Sequence, residues 1–390
     1  MRYRGHEHTH ESGKISDVFD STHYINLRQK KVVIDGKELP HQYFQDPCDI
    51  ALGLSTDGFV HFRNRKSTCW PLILFNYNLP PEDRFHVSEI ISLGIVPGPK
   101  KPVDMDSFLW PFVEEMLHLG AGITVFNSLS QSTFVLHAYL ISVFGDIPAV
   151  SLVMWMKGHN GQYPCRFCKI QGVRVPGLKA TTHYVPLHCA NHPTIQGSTD
   201  PSVIKIYDGA ALPLHTHEEI HAQGECIDAT FMKSRCEALA KEYGVKGCSI
   251  FFNLSSLKFP TCFPYDFMHL IWENVVKNLI LLWTGKFKGL DEGSGCYQIN
   301  STVWATIGSA TAASGSTIPG CYRARPPNFI ENRSSTTADT WSFWTLYLGP
   351  ILLRQKFKDK KYYDHFVKLV GLLHKCLQFT LTMDDLSVLK

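Results

Sequence analysis

The sequence predicts an α/β fold in which helices flank a mixed β-sheet. Three apolar segments, at about residues 50–63, 70–81 and 90–98, are bounded by the Gly, Pro and Asp residues that are typical of turns. An apolar repeat with helical spacing follows at 104–120. A fourth apolar segment, 134–146, is expected to be buried and to end at Asp146, although periodicity alone also allows a helix for its first half.

Upstream of the first long strand, the sequence predicts an arm and a hairpin. Residues 1–30 are polar, and we expect a solvated arm in which the histidines need no ligand. The segment that begins at Lys31 should turn at Asp35-Gly36. The strand that begins at Ile50 should turn at Asp57-Gly58 and continue as a second strand. The three adjacent apolar segments, joined by short turns, should form an antiparallel meander.

The helix after the meander can be capped by Asp104 or Asp106 and should stop at Gly120. Beyond residue 159, Cys and His become frequent and periodicity weakens. The remaining predicted elements are a helix over 227–243, a helix over 266–284, a Gly/Ser-rich connection over about 286–336, and helical segments over 338–357 and 362–378. The predicted domains are an arm (1–30), the first part of a core (31–158), an insertion (159–330) and a C-terminal helical part of the core (331–390).

The composition is that of a globular protein with little net charge. The chain has 38 Lys+Arg and 35 Asp+Glu, a formal net charge of +3, and 44% hydrophobic residues, which excludes a disordered chain or a fibre. No signal peptide or membrane span is predicted, so the 12 cysteines should be reduced and no membrane partner is expected. The charge leaves room for local basic clusters, at Lys100-Lys101, Arg323 with Arg325, and 354–361.

Two aspartates give the predicted sheet a candidate chemistry. Asp57 lies on the first strand and Asp146 follows the fourth, and the strand–strand–strand–helix–strand order is the start of an RNase H-like fold. Central strands of such a sheet bring carboxylates to one edge, where they can share two Mg²⁺ ions. These ions would activate a water or a DNA 3′-OH.

Several longer blocks extend this interpretation. They include Ser55-Thr-Asp-Gly-Phe, Gly145-Asp-Ile-Pro-Ala and Thr337-Ala-Asp-Thr-Trp-Ser-Phe-Trp, together with the blocks 69–81, 157–168, 264–274 and 282–288. In these blocks the chain, from about residue 15 to its end, resembles the CACTA-type (En/Spm) transposase family in its fungal branch. The resemblance implies an RNase H-like core with a large insertion between the second and third acidic residues. We expect the chain to be a fragment of a longer transposase.

The resemblance implies a DDE/D nuclease and strand transferase that binds Mg²⁺ or Mn²⁺. Asp57 and Asp146 match the first and second acids. Asp339 matches the third, although the family usually has Glu there, and the shorter Asp side chain puts its reach to the metal in doubt. Glu273 is the alternative third acid. Without the neighbouring blocks, an Asp that precedes a Gly at the end of a strand is more often a turn residue.

A second metal site is predicted at Cys165-Arg-Phe-Cys168. One C-x-x-C supplies half of a structural zinc site, and His159, His183, His188 and Cys189 are candidates for the remaining ligands. Two buried thiols on a turn are the alternative. Asp266 and His269 resemble an Asp-x-x-His element of related transposases, which implies a support near the active site; helix capping would also explain them.

One motif indicates a different class of protein. His217-Glu218-Glu-Ile-His221 satisfies the H-E-x-x-H pattern of zinc metalloproteases, but the extended pattern requires His at position 227, where this chain has Ile. A protease is therefore a remote alternative.

The predicted function is metal-dependent cleavage at transposon ends followed by strand transfer. The predicted partners are transposon-end and target DNA and a second copy of the chain, and the predicted localisation is the nucleus. The main alternative is a decayed or domesticated relative that binds DNA or proteins without catalysis.

Overall fold

The computed structural model describes residues 2–60, 68–98, 102, 104–159, 161–174, 183–185, 187–188, 205–287, 295–322, 325–331 and 336–389. The chain divides into two compact units, Met1–Tyr265 and Asp266–Lys390. The first unit contains the main β-sheet, and the second is built mainly from helices.

The first unit contains twelve strands among its described residues: β1 (Lys14–Ile15), β2 (Lys31–Ile34), β3 (Lys37–Gln42), β4 (Ile50–Thr56), β5 (Phe59–Val60), β6 (Thr68–Asn76), β7 (Ile91–Pro97), β8 (Ile123–Asn127), β9 (Ser132–Leu136), β10 (Ala138–Phe144), β11 (Val173–Arg174) and β12 (His183–Tyr184). Its α-helices are α1 (Thr22–Leu27), α2 (Asp106–Ala121), α3 (Ile147–Val153), α4 (His217–Asp228) and α5 (Lys233–Tyr243). Short 3₁₀ helices lie at Val18–Asp20, Val87–Glu89 and Ile250–Asn253, and a π-helical turn lies at Tyr3–Glu7.

The main sheet is mixed, as the sequence predicts. Its long strands lie in the order β7, β6, β4, β10, and the short β5 also pairs with β6. Strand β6 is antiparallel to both β4 and β7, whereas β10 is parallel to β4. A parallel neighbour requires a crossover connection, which α2 and the β8–β9 hairpin provide here.

Both faces of the central strands are buried, which explains why β4 and β10 are almost wholly apolar. Leu52, Leu54 and Leu140 belong to the larger core, which also contains residues of α2 and α3. The alternate residues Ala51 and Tyr139 belong to a second core on the N-terminal segments. The alternation follows the two-residue period of a strand.

The two outer edges of this sheet differ. Along the edge of β10, the Val143 N–H donates to the Cys262 carbonyl at 2.8 Å, and the Ser256 hydroxyl donates to the Leu140 carbonyl at 2.6 Å. The other edge is β7, in which Leu93 is an extra residue of a bulge and Gly94 has a φ of 155°. An irregular segment therefore covers the β10 edge, and β7 carries the bulge.

The predicted hairpin at Asp35-Gly36 is confirmed. Strands β2 and β3 pair in antiparallel fashion, and Asp35 and Gly36 have φ values of 49° and 72°. Such positive values at both central residues match the twist that a two-residue hairpin requires.

The N-terminal segment is more ordered than the predicted solvated arm. Arg4 is buried and donates from Nε to the Asp49 carbonyl at 3.0 Å and from Nη2 to the Asp46 carbonyl at 2.5 Å. Asp20 is also buried, and the rings of His8 and His10 each lie 2.9 Å from its Oδ1. Scattered polar residues gave no sign of these contacts because their partners are distant in sequence.

Three predicted elements of the first unit differ in the structure. Asp57-Gly58 is not a reversal, because β4 and β5 both pair with β6 and continue in one direction along it. The apolar segment before Asp146 divides at His137 into β9 and β10. The helix predicted over 227–243 is two helices, α4 and α5, separated at residues 229–232.

The second unit contains α6 (Lys277–Trp283), α7 (Ser301–Ser314), α8 (Ala338–Phe343), α9 (Gly349–Leu352), α10 (Lys360–Cys376), α11 (Met383–Leu389) and the strand β13 (Leu381–Thr382). It also has π-helical segments at Met268–Val276 and Trp344–Leu348 and a 3₁₀ turn at Gly320–Tyr322. The helical predictions for 266–284, 338–357 and 362–378 are confirmed, whereas α7 lies in the predicted Gly/Ser-rich connection. Among the described residues, no helix is both long and apolar enough to cross a bilayer.

Candidate active site

Asp57 and Asp146 follow neighbouring parallel strands. In the register of β4 and β10, Ser55 lies beside Phe144, so that each aspartate comes two residues after a paired position. Gly145 lies very close to the strand end, because a Cβ on it would lie 2.2 Å from the Thr56 carbonyl oxygen. Neighbouring strands lie about 4.8 Å apart. The structure therefore brings Asp57 and Asp146 together at the C-terminal ends of β4 and β10, which we call the sheet edge of the candidate site.

The position of Asp57 depends on an interruption between β4 and β5. Thr56 pairs with Leu72 and Phe59 pairs with Cys69, so the register places Pro71 opposite Asp57. Proline has no N–H to donate to a strand ladder. Gly58 is covered by Trp70, since a Cβ on Gly58 would lie 2.7 Å from the indole ring. Asp57 itself is partly exposed at this break.

Asp146 is the N-cap of α3. Its Oδ1 accepts the Ala149 N–H at 2.6 Å, and the side chain is partly exposed. The second oxygen, Oδ2, receives no hydrogen bond from the described part of the chain. One carboxylate can therefore cap the helix through one oxygen and offer the other to a ligand.

The two candidates for the third acid lie in the second unit. Asp339 is exposed in the first turn of α8, which Thr337 caps. Glu273 lies in the π-helical segment Met268–Val276, and its Oε2 is 2.8 Å from the Lys277 Nζ. The choice between Asp339 and Glu273 stays a prediction.

Asp266 caps the helical segment that carries Glu273. The His269 N–H donates to Asp266 Oδ1 at 3.0 Å, and the His269 Nδ1 lies 3.3 Å from Oδ2 of the same carboxylate. These contacts account for the Asp-x-x-His spacing as a local cap, because an N-cap carboxylate accepts from the N–H three residues later. A role near the active site stays a prediction.

Cys165 and Cys168 form a tight turn. The Cys165 Sγ accepts the N–H groups of Phe167 at 3.3 Å and Cys168 at 3.2 Å, and it also lies 3.2 Å from the Tyr265 hydroxyl. Burial raises the pKa of the Cys168 thiol to about 11. Arg166, between them, donates to the Phe263 carbonyl at 2.9 Å. The turn is thus fixed to the segment that precedes the second unit.

The described residues supply two sulfurs at this turn and no further zinc ligand grouped with them. No cluster of three or more His, Cys, Asp or Glu side chains suited to a metal ion is found in the described ranges. His159 and His188 are exposed there, and Cys189 lies outside the described residues. The His183 backbone lies in β12. A tetrahedral zinc site needs four ligands, so zinc stays a prediction.

The H-E-x-x-H motif does lie on a helix, but its first histidine is oriented by a backbone group. His217 begins α4, and its Nδ1 accepts the Phe259 N–H at 3.1 Å. A neutral imidazole that accepts at Nδ1 carries its proton on Nε2 and has no lone pair left for a metal ion. This geometry does not favour a metalloprotease.

The basic clusters are only partly described. Lys100, Lys101 and Arg323 lie outside the described residues. In the cluster at 354–361, Arg354, Lys356 and Lys358 are exposed. Lys360 pairs with Asp364 at 2.9 Å and Lys361 with Asp359 at 3.0 Å, so helix-end ion pairs account for these two cations.

Sequence reasoning missed a contact between a buried aspartate and a partly buried histidine at the opposite end of β4 and β10. Asp49 is fully buried, and its Oδ1 lies 3.0 Å from the His137 Nδ1. His137 stacks on His41, with ring centroids 4.2 Å apart. These residues are far apart in sequence, and no motif spacing could have indicated the pair.

Part of the chain matches a family model. No curated protein matches this chain. The family model described as "Transposase family tnp2" matches residues 31–187, a range that contains Asp57, Asp146, Cys165 and Cys168 but neither Asp339 nor Glu273. This match supports a transposase family for the chain.

Proposed function

We propose that the chain is a DDE/D-type DNA transposase of the CACTA (En/Spm) kind, in its fungal branch, which cleaves transposon ends and joins the freed 3′-OH to target DNA. One observation carries the proposal: the register that pairs Ser55 with Phe144 in neighbouring parallel strands, which gives Asp57 and Asp146 a common sheet edge. The family match over residues 31–187 supports the same class of protein.

The strand order supports an RNase H-like core. The first three long strands, β4, β6 and β7, form an antiparallel meander, and the fourth, β10, returns beside the first in parallel. Helix α2 lies between the third and fourth strands in the chain, as that fold requires. The insertion of this proposal begins after α3 and includes the Cys165–Cys168 turn, α4 and α5.

The residues at the sheet edge fit a magnesium or manganese ion. Mg²⁺ is usually held by one or two carboxylates, with waters and substrate phosphates as its other ligands. Asp57 and Asp146 are partly exposed carboxylates, and Asp146 offers an oxygen that the helix cap does not use. When bound, such ions stabilise charge on the attacking and leaving oxygens of phosphoryl transfer.

The chain's own residues would position these carboxylates. The Ala149 N–H fixes the Asp146 side chain through one oxygen. Gly145 allows the end of β10 to lie against the Thr56 carbonyl, and the Trp70 ring against Gly58 limits movement beside Asp57. Carboxylates that are held in place in advance avoid a reorganisation cost during reaction.

The proposal takes Asp339 as the third acid and Glu273 as its alternative. Asp339 is exposed, and Thr337 rather than Asp339 caps α8, so that no capping role occupies its carboxylate. Glu273 is longer by one methylene but is already paired with Lys277. Separate Asp339→Ala and Glu273→Ala variants decide between them. Of these two residues, only the one that acts as the third acid should be needed for cleavage.

DNA is the partner of this function, and the proposed localisation is the nucleus. Arg354, Lys356 and Lys358 are exposed cations that could bind the phosphate backbone. Such contacts give an affinity that falls steeply with salt. A homo-oligomer and a structural zinc ion at Cys165 and Cys168, with His159 as a candidate third ligand, complete the proposal. Measurement of metal content before and after the double change Cys165→Ser and Cys168→Ser tests the zinc.

The test of catalysis is DNA cleavage by the purified full chain. The substrates are a supercoiled plasmid and a duplex that carries a candidate terminal repeat, each with Mg²⁺ or Mn²⁺. Asp146→Asn should lower the cleavage rate by at least about 100-fold, a loss that even a small displacement of reacting groups can cause. Asp57→Ala should do the same.

A matched control separates catalysis from capping. Asp359 is the N-cap of α10 and accepts the Lys361 N–H at 3.0 Å, so Asp359→Asn changes the same kind of helix cap elsewhere. Wild-type cleavage by Asp359→Asn is expected. Cleavage by the Asp57 and Asp146 variants at the wild-type rate would overturn the proposed site. DNA binding with no cleavage in either metal would assign the non-catalytic alternative.

A further inference from the structure

A cavity of about 280 Å³ is lined by residues of the second unit. It lies beside α6, α7 and α8. Its lining is mainly aromatic and aliphatic and includes Lys277, Ile280, Trp304, Phe329, Ile330 and Trp341. Pockets of this kind, apolar with a few polar groups, are where small ligands usually bind.

Three aromatic rings form a fixed part of the cavity wall. The Phe329 ring centroid lies 5.3 Å from that of Trp304 and 5.3 Å from that of Trp341. All three residues are buried. Their packing against the fully buried Trp344 restricts their movement. Rigid aromatic faces favour a flat ring ligand, because stacking on them requires little reordering.

Trp341 carries a hydrogen-bond donor that has no acceptor among the described residues. Its Nε1 is buried and has no partner among the described residues, and 93% of the residue's surface is buried, as the exposed fraction of 7% implies. The neighbouring Trp344, by contrast, donates from Nε1 to the Thr311 hydroxyl at 3.1 Å. A buried donor without a partner is unfavourable. An acceptor on a ligand in the cavity would remove this penalty.

Lys277 gives the cavity a second donor. Its Nζ lies 2.8 Å from the Glu273 Oε2, and the ammonium has further N–H groups to donate. Lys277, Trp304 and Trp341 are the side chains with polar groups that line the cavity in the described part of the chain, and none of the three can accept a hydrogen bond. The ligand should therefore be a flat molecule that presents acceptors along one edge.

The volume limits the size of that ligand. An apolar cavity of about 150 Å³ takes one benzene ring. The present cavity is nearly twice as large, at about 280 Å³, which suits two fused rings. Among the bases of DNA, guanine presents two acceptors, O6 and N7, on one edge, whereas adenine presents one acceptor and one donor there.

We propose that this cavity binds a purine base and prefers guanine, with Lys277 and Trp341 donating to O6 and N7 and the aromatic rings stacking on the base. The source of the base in DNA rests on the proposed function, whereas the pocket itself does not. An unpaired base in a DNA strand and a free nucleotide share this chemistry. Enzymes that handle DNA can take an unpaired base into a pocket at the cost of unstacking it.

The test titrates the full chain with guanosine, inosine, 7-deazaguanosine and adenosine in the presence of a chelator, with calorimetry and tryptophan fluorescence as readouts. Guanosine and inosine, which both carry O6 and N7, should bind. Loss of N7 in 7-deazaguanosine, or the donor that adenosine presents, should weaken binding by about 5- to 100-fold. No binding of guanosine, as expected if the cavity holds only water, would overturn the proposal.

Two variants locate the site. Trp341→Phe removes the donor but keeps an aromatic wall, and it should weaken guanosine binding by about 5-fold or more. Ile330→Trp fills the cavity and should abolish binding. A Cβ added to Gly371, in α10, would meet no atom within 4 Å, so Gly371→Ala serves as the control that leaves binding unchanged. Unaltered binding in both cavity variants would place any guanosine site elsewhere and refute the proposal.

A DNA arm identifies the source of the base. Duplexes with an unpaired guanine or an unpaired adenine are compared, again with a chelator. A preference for guanine that Trp341→Phe removes supports a base in DNA; guanosine binding without that preference supports a free nucleotide. Cleavage of DNA by a chain that fails to bind guanosine would overturn only the pocket, and guanosine binding without cleavage would overturn only the nuclease.

Discussion

The two ends of the paired strands β4 and β10 both carry aspartates, but the protein surrounds them differently. At the N-terminal end, Asp49 is fully buried, lies 3.0 Å from His137 and accepts the Asp46 N–H at 3.0 Å. At the C-terminal end, Asp146 is partly exposed, and in the described part of the chain its one hydrogen-bond donor is the Ala149 N–H. The same strand pair thus holds one carboxylate for stability and leaves another accessible.

This difference separates structural carboxylates from candidate catalytic ones. A buried carboxylate is tolerated only when protein groups satisfy it, and it then has little capacity for a ligand. A partly exposed carboxylate that keeps one oxygen available can bind a metal ion without unfolding its surroundings. Location at a strand end is therefore not sufficient to identify a catalytic acid; its hydrogen-bond partners must be counted as well.

The largest expected effect on stability is at the N-terminal end of β4 and β10, where Asp49 is buried. Asp49→Ala leaves the partly buried His137 ring and the Asp46 N–H without their acceptor and should lower the free energy of unfolding by about 3–5 kcal/mol. Asp146→Asn should change it by less than about 1 kcal/mol, because Asn and Asp cap helices equally well. Urea denaturation followed by circular dichroism measures both. Equal losses in the two variants would contradict the distinction between the two ends.

A smaller effect is expected where the strand ends meet. Gly145→Ala adds a Cβ only 2.2 Å from the Thr56 carbonyl oxygen, so the end of β10 must move away from β4. The cost should be about 1–3 kcal/mol, as for other overpacked sites, with lower DNA cleavage. The control is Gly371→Ala on the exposed face of α10, where alanine should be neutral or stabilise by up to about 1 kcal/mol. Unchanged stability and cleavage in Gly145→Ala would contradict close strand contact at this edge.

The smallest expected effect concerns a second buried carboxylate, Asp20, and the pH dependence of the free energy of unfolding that it causes. Burial alone would raise the pKa of Asp20, but hydrogen bonds from His10, the Ser16 N–H and His8 outweigh it and hold the pKa well below its usual value. Because the folded-state pKa is lowered, this stabilisation is fully present above the unfolded-state pKa of about 3.9 and is lost as pH falls below it.

The variant Asp20→Asn isolates this contribution. The difference in unfolding free energy between wild type and Asp20→Asn should be constant above about pH 5 and should shrink as pH is lowered toward 3. Asp208→Asn, at an exposed position, is the control in the same series of urea titrations. A difference that stays constant down to pH 3 would show that the buried hydrogen bonds do not lower the pKa of Asp20.

Local signals in the sequence were sufficient for several elements. Asp35-Gly36 predicted its hairpin because the turn needs residues that adopt positive φ, and the helical spacing of Leu109, Phe112 and Met116 predicted α2. Helix α7 was missed because its sequence is rich in Ser, Thr, Ala and Gly and lacks a marked apolar stripe. Its buried Trp304 and Ile307 identify the packed face only in the structure.

Contacts between distant residues set the limit for the site. The sequence placed Asp57 and Asp146 after apolar strands, but only the parallel register shows that both strands end at one edge. The interruption of strand pairing at Asp57 depends on Pro71 in the neighbouring strand. The contact at the N-terminal end of β4 and β10 joins Asp49 to His137. These residues are distant in sequence and come into contact only in the folded unit, so no local sequence pattern predicts them.

The two outer edges of the main sheet are each protected against pairing with a further strand, but in different ways. Hydrogen bonds from the Val143 N–H and the Ser256 hydroxyl tie the outer edge of β10 to the segment that contains Cys262, so this edge offers little room for an added strand. At β7, Ile91, Leu93 and Ile95 are exposed. The bulge at Leu93 and the proline at position 97 break the regular row of N–H groups that a foreign strand would need. The open edge is thus a poor template for aggregation.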